Sequence, residues 1–198
     1  MSPEPRFAWN GDSTVAYEVV GEGPVDLVYM PGFINNLEVV WDNPLIARFL
    51  KRLASFSRLI MIDRRGMGLS DRLSPEDLPP IEEHLDDIDA VLDAVGSERA
   101  VIFGTCDCGA IGAMYAASHP DRTAGLIVYA SSAIGVDPGD YGTASLDVAW
   151  DEEGWKSFIH DVRTRWGTGG YVEESLGWVD PSLRDDDAMV AWWGRFQR

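Results

Sequence analysis

The sequence predicts an α/β protein: a mostly parallel β-sheet with flanking helices, followed by the start of a helical cap. Three observations carry this. Up to Ser131, short β-branched and apolar runs alternate with amphipathic helical patterns. Turn residues mark most of the passages between them. After Ser131 glycines, acidic residues and tryptophans replace that rhythm, and only helices fit.

The elements follow in order. Val15-Ala16-Tyr17-Glu18-Val19-Val20 reads as a strand closed by Gly21-Glu22-Gly23-Pro24, and residues 25–30 form a second strand ending at Pro31-Gly32. Asn43 is an N-cap and Pro44 the first helical position of a helix to about Ser55. Residues 58–62 are a short apolar strand, and 63–70 a glycine-bearing loop. Ile81, Leu85, Ile88, Leu92 and Val95 recur at helical spacing until Gly96 stops them. Residues 100–103 are a buried strand that turns through Gly104 into a helix over 109–118, which Pro120 ends. Residues 124–130 form the last clear strand. Helices are expected at about 151–166 and 186–198, the second with Met189, Trp192, Trp193 and Phe196 on one face. The division is thus a core over 1–132 and a truncated helical cap or lid over 133–198.

Composition excludes several classes of function. With 33 acidic against 16 basic residues the formal charge is −17, a surface that repels phosphate backbones, so no nucleic-acid partner is expected. No apolar run reaches the roughly 20 residues of a membrane helix, and no signal peptide is visible, so no membrane partner is expected. Cys106 and Cys108 make no disulfide framework, which points to a reducing cytoplasm. Nothing in the sequence calls for a cofactor or a metal; a redox or metal role for Cys-x-Cys would need ligands that are not nearby.

The chemistry concentrates in Val101-Ile102-Phe103-Gly104-Thr105-Cys106-Asp107-Cys108-Gly109-Ala110. A strand runs through a tight turn of small residues straight into a helix. Such a turn projects one side chain clear of the sheet, beside the free N–H groups and positive potential of the helix start. The pattern is that of Gly-x-Ser-x-Gly, written here with Cys106 for the serine and Cys108 for the second glycine.

With this elbow, Tyr29-Met30-Pro31-Gly32-Phe33, Ile62-Asp63-Arg64-Arg65-Gly66-Met67-Gly68-Leu69-Ser70-Asp71 and Ser118-His119-Pro120-Asp121-Arg122 resemble α/β-hydrolases. Asp93-Ala94-Val95-Gly96-Ser97-Glu98-Arg99-Ala100 and Asp180-Pro181-Ser182-Leu183 through Trp192-Trp193 resemble, more narrowly, hydrolase-like proteins often fused to class III adenylate cyclase domains. The similarity runs from about residue 8 onward. It implies an α/β-hydrolase fold incomplete on its C-terminal side, with Cys106 at the nucleophile position. Gly104, Cys108 and Gly109 complete the elbow, and the backbone N–H groups of Phe33 and Asp107 form the oxyanion hole. It implies a small apolar ester-like or other small-molecule ligand, and a homodimer or a fused cyclase domain as macromolecular partner.

Two readings of Cys106 stand side by side. A thiol at a helix start has its pKa lowered and is a strong nucleophile; a cysteine is also an ordinary small buried residue in a degenerate elbow. Cys108 in place of glycine is expected to crowd the approach of helix to strand. A one-residue slip would instead put Asp107 at the nucleophile position, as in dehalogenases and epoxide hydrolases.

In this fold the acid and histidine follow the nucleophile after later strands. Beyond Cys106 lie only His119, at a helix ending with a structural role, and His160, on a charged helix where it is solvated; His84 precedes the elbow as a packing residue. None suits the general base. The 198 residues are therefore expected to be part of a longer chain, inactive alone, with the strand at 124–130 as an open edge. Glu82-Glu83, Asp86-Asp87, Asp151-Glu152-Glu153 and Asp185-Asp186-Asp187 are expected on solvated helix faces or N-termini, and Asp63 and Arg64-Arg65 in scaffold. Two functions remain: an ester-type hydrolase, or a non-catalytic sensor attached to a cyclase domain. The tryptophans at 150, 155, 166, 178, 192 and 193 fit an apolar lid or simple packing.

Overall fold

The computed structural model describes residues 3–32, 34–74, 79–131 and 152–197, with the side chains of Glu152 and Trp155 left aside. The chain divides into two compact units, Met1–Ala133 and Ile134–Arg198.

The first unit is a six-stranded sheet in the order β1-β2-β4-β3-β5-β6. Its strands are β1 (Arg6–Asn10), β2 (Ser13–Val20), β3 (Asp26–Met30), β4 (Arg58–Ile62), β5 (Ala100–Thr105) and β6 (Thr123–Tyr129). β1 and β2 are antiparallel to their neighbours, whereas β4, β3, β5 and β6 run parallel. The helices are α1 (Leu37–Val40), α2 (Pro44–Ala54), α3 (Glu83–Ala94) and α4 (Asp107–Ser118).

β1 and α1 escape the sequence reading. β1 pairs Asn10 with Ser13 around the two-residue loop Gly11-Asp12, with Gly11 at φ +59°, so the Gly-Asp pair was the available hairpin signal. α1 is a single turn, too short for periodicity to register. Asn43 caps α2 as its residue type demands, accepting hydrogen bonds from the amides of Leu45 and Ile46 at 2.9 and 3.2 Å. Alternation along β4 sets the layers: Ile60 and Ile62 join Leu85, Ile88, Val91 and Leu92 of α3 and Ile111 and Tyr115 of α4 in one core. Leu59 and Met61 are buried on the opposite face, and α2 packs on β4.

One acidic pair departs from expectation. Asp87 is not solvated: it is 3% exposed, accepting 2.8 Å hydrogen bonds from Asn10 Nδ2 and Arg65 Nε. Burial pushes its carboxyl up, but the contacts from His84, Asn10 and Arg65 outweigh this and hold it below its ordinary value. Helical spacing from buried Val91, one turn on, sets position 87 on the packed side of α3, where Asn10 of β1 reaches it, a burial that acidity alone conceals.

β6 lies at one edge of the described sheet, with Leu126, Ile127, Val128 and Tyr129 exposed. The second unit is helical, with α5 (Glu152–Arg165), α6 (Gly169–Val179), a 3-10 turn at Pro181–Leu183 and α7 (Asp187–Phe196). α6 was not expected, because Gly169-Gly170 reads as a break; its buried Tyr171, Val172, Ser175 and Leu176 nevertheless make one helical face. Ser175 Oγ accepts from Trp193 Nε1 at 2.9 Å and Gln197 Nε2 at 2.8 Å, joining α6 to α7. α7 ends at Phe196 with Gln197 as C-cap. Trp192 and Trp193 are buried in packing, while Trp178 is exposed. Trp150 lies outside the described residues.

Candidate active site

β5 is flanked by parallel β3 and β6, so its C-terminal end, the end of β3 and the end of β6 lie together. Parallel sheets place their sites at this edge, where strands hand over to helices. Pairing of Met30 with Gly104 sets Pro31-Gly32 beside Thr105 and Cys106. Gly32 N donates to Thr105 Oγ1 at 3.0 Å. A Cβ on Gly32 would overlap Thr105 O and stand 2.6 Å from Cys106 Cβ. Only glycine allows this approach.

Cys106 has φ 49° and ψ −127°, a conformation that L residues avoid. Its amide still joins the sheet, donating to Tyr129 O at 3.1 Å, while its carbonyl accepts from Gly109 N at 3.1 Å. One residue thus ends the strand and caps the helix, and its thiol side chain is exposed. The strained bend is at Cys106, not at Asp107, which is the first residue of α4. α4 begins two residues earlier than periodicity indicated.

Cys108 does not crowd the helix. It is buried, with Sγ 3.6 Å from Pro31 O, and burial raises its thiol to about 12. The close approach depends on Gly104, whose added Cβ would overlap Cys108 O and fall 2.8 Å from Gly109 Cα, and on Gly109, whose Cβ would fall 2.5 Å from Ser131 Oγ. Phe33, the other expected oxyanion donor, lies outside the described residues; Ile34 N closes the turn onto Gly32 O at 3.0 Å.

The surroundings of the thiol act against the lowering that its place on the helix implies. Burial and then the Asp107 carboxylate push Cys106 above its ordinary value. The Asp107 side chain is 45% exposed, with Oδ2 2.7 Å from Arg64 Nη2, a contact that sequence spacing did not reveal. A Cβ on Gly32 would lie 2.5 Å from Asp107 Oδ1, so this carboxylate stands at the mouth between elbow and loop.

Asp63 organises the loop around that mouth. Fully buried at the end of β4, it accepts from Asn35 Nδ2 at 2.7 Å, Leu37 N at 3.1 Å and Leu69 N at 2.9 Å. Neither histidine of this unit is near the thiol. His119 caps the far end of the 12-residue α4, stacked on Tyr115 with Nε2 3.3 Å from Asp89 Oδ2. His84 faces Asp87 at 3.5 Å. His160 is exposed on α5, in the other unit. Among the described residues no cluster of His, Cys, Asp or Glu suits a metal ion, and no helix is long and apolar enough to cross a membrane.

Comparison with known proteins agrees with this architecture. The profile of the alpha/beta hydrolase fold family matches residues 27–198. Epoxide hydrolase B of Mycobacterium tuberculosis is 38% identical over 71 residues, 35% of this chain and 20% of that protein. Among solved structures, Est816, described as an N-acyl homoserine lactone degrading enzyme, superposes with TM-score 0.65 at 26% identity, over 96% of this chain and 64% of its own. A thermophilic esterase from Thermogutta terrifontis shares the fold, with TM-score 0.68 at 18% identity over 98% of this chain and 66% of its own. The chain thus spans just under two thirds of the length of these structures.

Proposed function

From the premise that the chain belongs to the α/β-hydrolase fold family, we propose that it is the elbow-bearing part of a hydrolase that cleaves ester-type substrates through Cys106. The observation that carries this is the left-handed backbone at Cys106, which holds an exposed thiol at the start of α4 beside the Gly32 loop. No packing need explains such strain at a cysteine, whereas presentation of a nucleophile does. Cys106 Sγ attacks the substrate carbonyl carbon and the alkoxide leaves with the electron pair of the broken C–O bond. Water then cleaves the thioester to release the acid and restore the thiol. The amides of Asp107 and Phe33 hold the oxyanion. A base must take the thiol proton, and neither His84 nor His119 stands where it could.

A second reading has its own support. Desolvation and the Asp107 carboxylate push the Cys106 thiol up from its ordinary value, which fits a non-catalytic sensor that keeps the pocket, of the kind joined to a class III adenylate cyclase domain. One experiment separates the two. Full-length protein, with Cys106→Ser and Cys106→Ala, is treated with a thiol-reactive ester probe and assayed on short-chain aryl esters. Turnover abolished in the Ala variant and at least partly kept in Ser supports the hydrolase. Turnover absent from all three forms supports the sensor, and turnover equal in all three refutes Cys106 as the nucleophile.

A further inference from the structure

Asp107 is an unusual neighbour for an attacking thiol. Its carboxylate is half exposed, it stands against Gly32 at the mouth of the elbow, and its negative charge is felt at Cys106. Arg64 is its ion-pair partner, 2.7 Å from Oδ2, while Oδ1 is the oxygen that stands against Gly32. The guanidinium grips Oδ2 from the β4 side, and its charge acts on buried Cys108. Beside the exposed sulfur, the Asp107 carboxylate and Cys106 Cβ meet at the same point against Gly32. The chain's −17 charge supplies no compensating positive background.

We propose that Asp107 makes this site discriminate by charge, admitting neutral and cationic acyl compounds ahead of anionic ones. This deepens the hydrolase reading and rests on it for the word acyl, but the discrimination itself belongs to the field at the elbow. An incoming carboxylate or sulfonate meets a like charge a few ångströms from the reacting sulfur, and a quaternary ammonium meets an opposite one. Asp107 is therefore a specificity-determining residue. The exposed thiol reports the field without any turnover, which keeps the two claims separable.

The test is the rate of Cys106 modification in the full-length protein by two methanethiosulfonates, one bearing a trimethylammonium group and one a sulfonate. In each the thiolate sulfur bonds to the reagent's sulfenyl sulfur, methanesulfinate leaves with the electron pair, and the thiol proton goes to solvent. Peptide mapping restricts the count to Cys106, since Cys108 is buried. The cation-to-anion rate ratio, corrected by the same ratio for free cysteine, is expected to exceed one and to fall about tenfold in Asp107→Asn. It is expected to rise in Arg64→Gln and to shrink with added salt. A ratio in Asp107→Asn within twofold of the parent assigns the preference to overall charge and overturns the proposal. Should that variant not fold, Arg64→Gln decides: a rise supports the proposal and an unchanged ratio overturns it. Absence of ester turnover with the ratio behaving as expected would sink the hydrolase reading and leave the charge filter standing.

Discussion

Cys106 holds a backbone shape that glycine adopts without strain and cysteine does not. Cys106→Gly is therefore expected to raise unfolding free energy by about 1 kcal/mol while removing the thiol chemistry. Equilibrium urea melts check this, and a destabilised variant would show that the sulfur makes packing contacts worth more than the strain. Glu18 tells a second residue-scale story. It is fully buried on β2, its Oε2 accepts from Trp41 Nε1 at 2.7 Å, and its Oε1 has no hydrogen-bond partner among the described residues. Burial, aided by the Asp63 charge and opposed by the Trp41 hydrogen bond, raises its pKa from 4.5 to about 7. A carboxyl raised in the folded state binds more protons there than when unfolded, so its contribution to stability falls as pH rises from about 4.5 to 7. Asp63, raised to about 6 chiefly by burial, acts in the same direction. Glu18→Gln is expected to match the parent near pH 4.5 and to exceed its stability by about 2 kcal/mol at pH 8. Urea melts at the two pH values give the difference, and a gain equal at both would refute the linkage.

At the scale of elements, the elbow works because β5 and α4 nearly touch. Gly104→Ala puts a methyl into backbone atoms of Cys108 and Gly109, which no rotamer change can relieve. A loss of about 3 kcal/mol or more is expected, seen as a lower urea midpoint or as insoluble protein. The loops obey the same economy. Asp63 satisfies amide donors from the segments that follow β3 and β4, and Gly68, at φ +51°, is small because a Cβ there would strike that carboxylate. Much of this was legible in advance. Asn43-Pro44 announced α2, Gly96 ended the α3 pattern, and small residues around Cys106 announced the turn. The paired environment of Asp87 and the Arg64–Asp107 contact were not legible, since each joins side chains from segments far apart in the chain.

For the molecule as a whole, 33 acidic residues against 16 basic ones cause self-repulsion that favours expansion. Raising sodium chloride from about 10 mM to about 150 mM shortens the Debye length from roughly 30 to 8 Å. The melting temperature is therefore expected to rise by a few degrees over that range, and calorimetry at the two salt concentrations measures it. A flat or falling response would mean that ion pairs such as Arg58–Asp26 and Arg122–Asp89 outweigh the repulsion. The two compact units carry separate cores. One is built on sheet alternation, and the other on Trp192, Trp193, Phe196 and the α6 face that two glycines concealed.

By itself the sequence determined the alternation of strands and helices, the mostly parallel sheet, the turn at Gly104–Cys108 and the family whose residues surround it. Those features are local, set by periodicity, caps and turn chemistry within a few residues of one another. The tertiary structure alone decided which residue bends at the elbow, that Cys108 fits beneath Pro31, and that desolvation, then the Asp107 carboxylate, acts to raise the Cys106 thiol. Each of those outcomes depends on how close β3, β4 and α4 come to β5, and distance through space is not written in the order of residues.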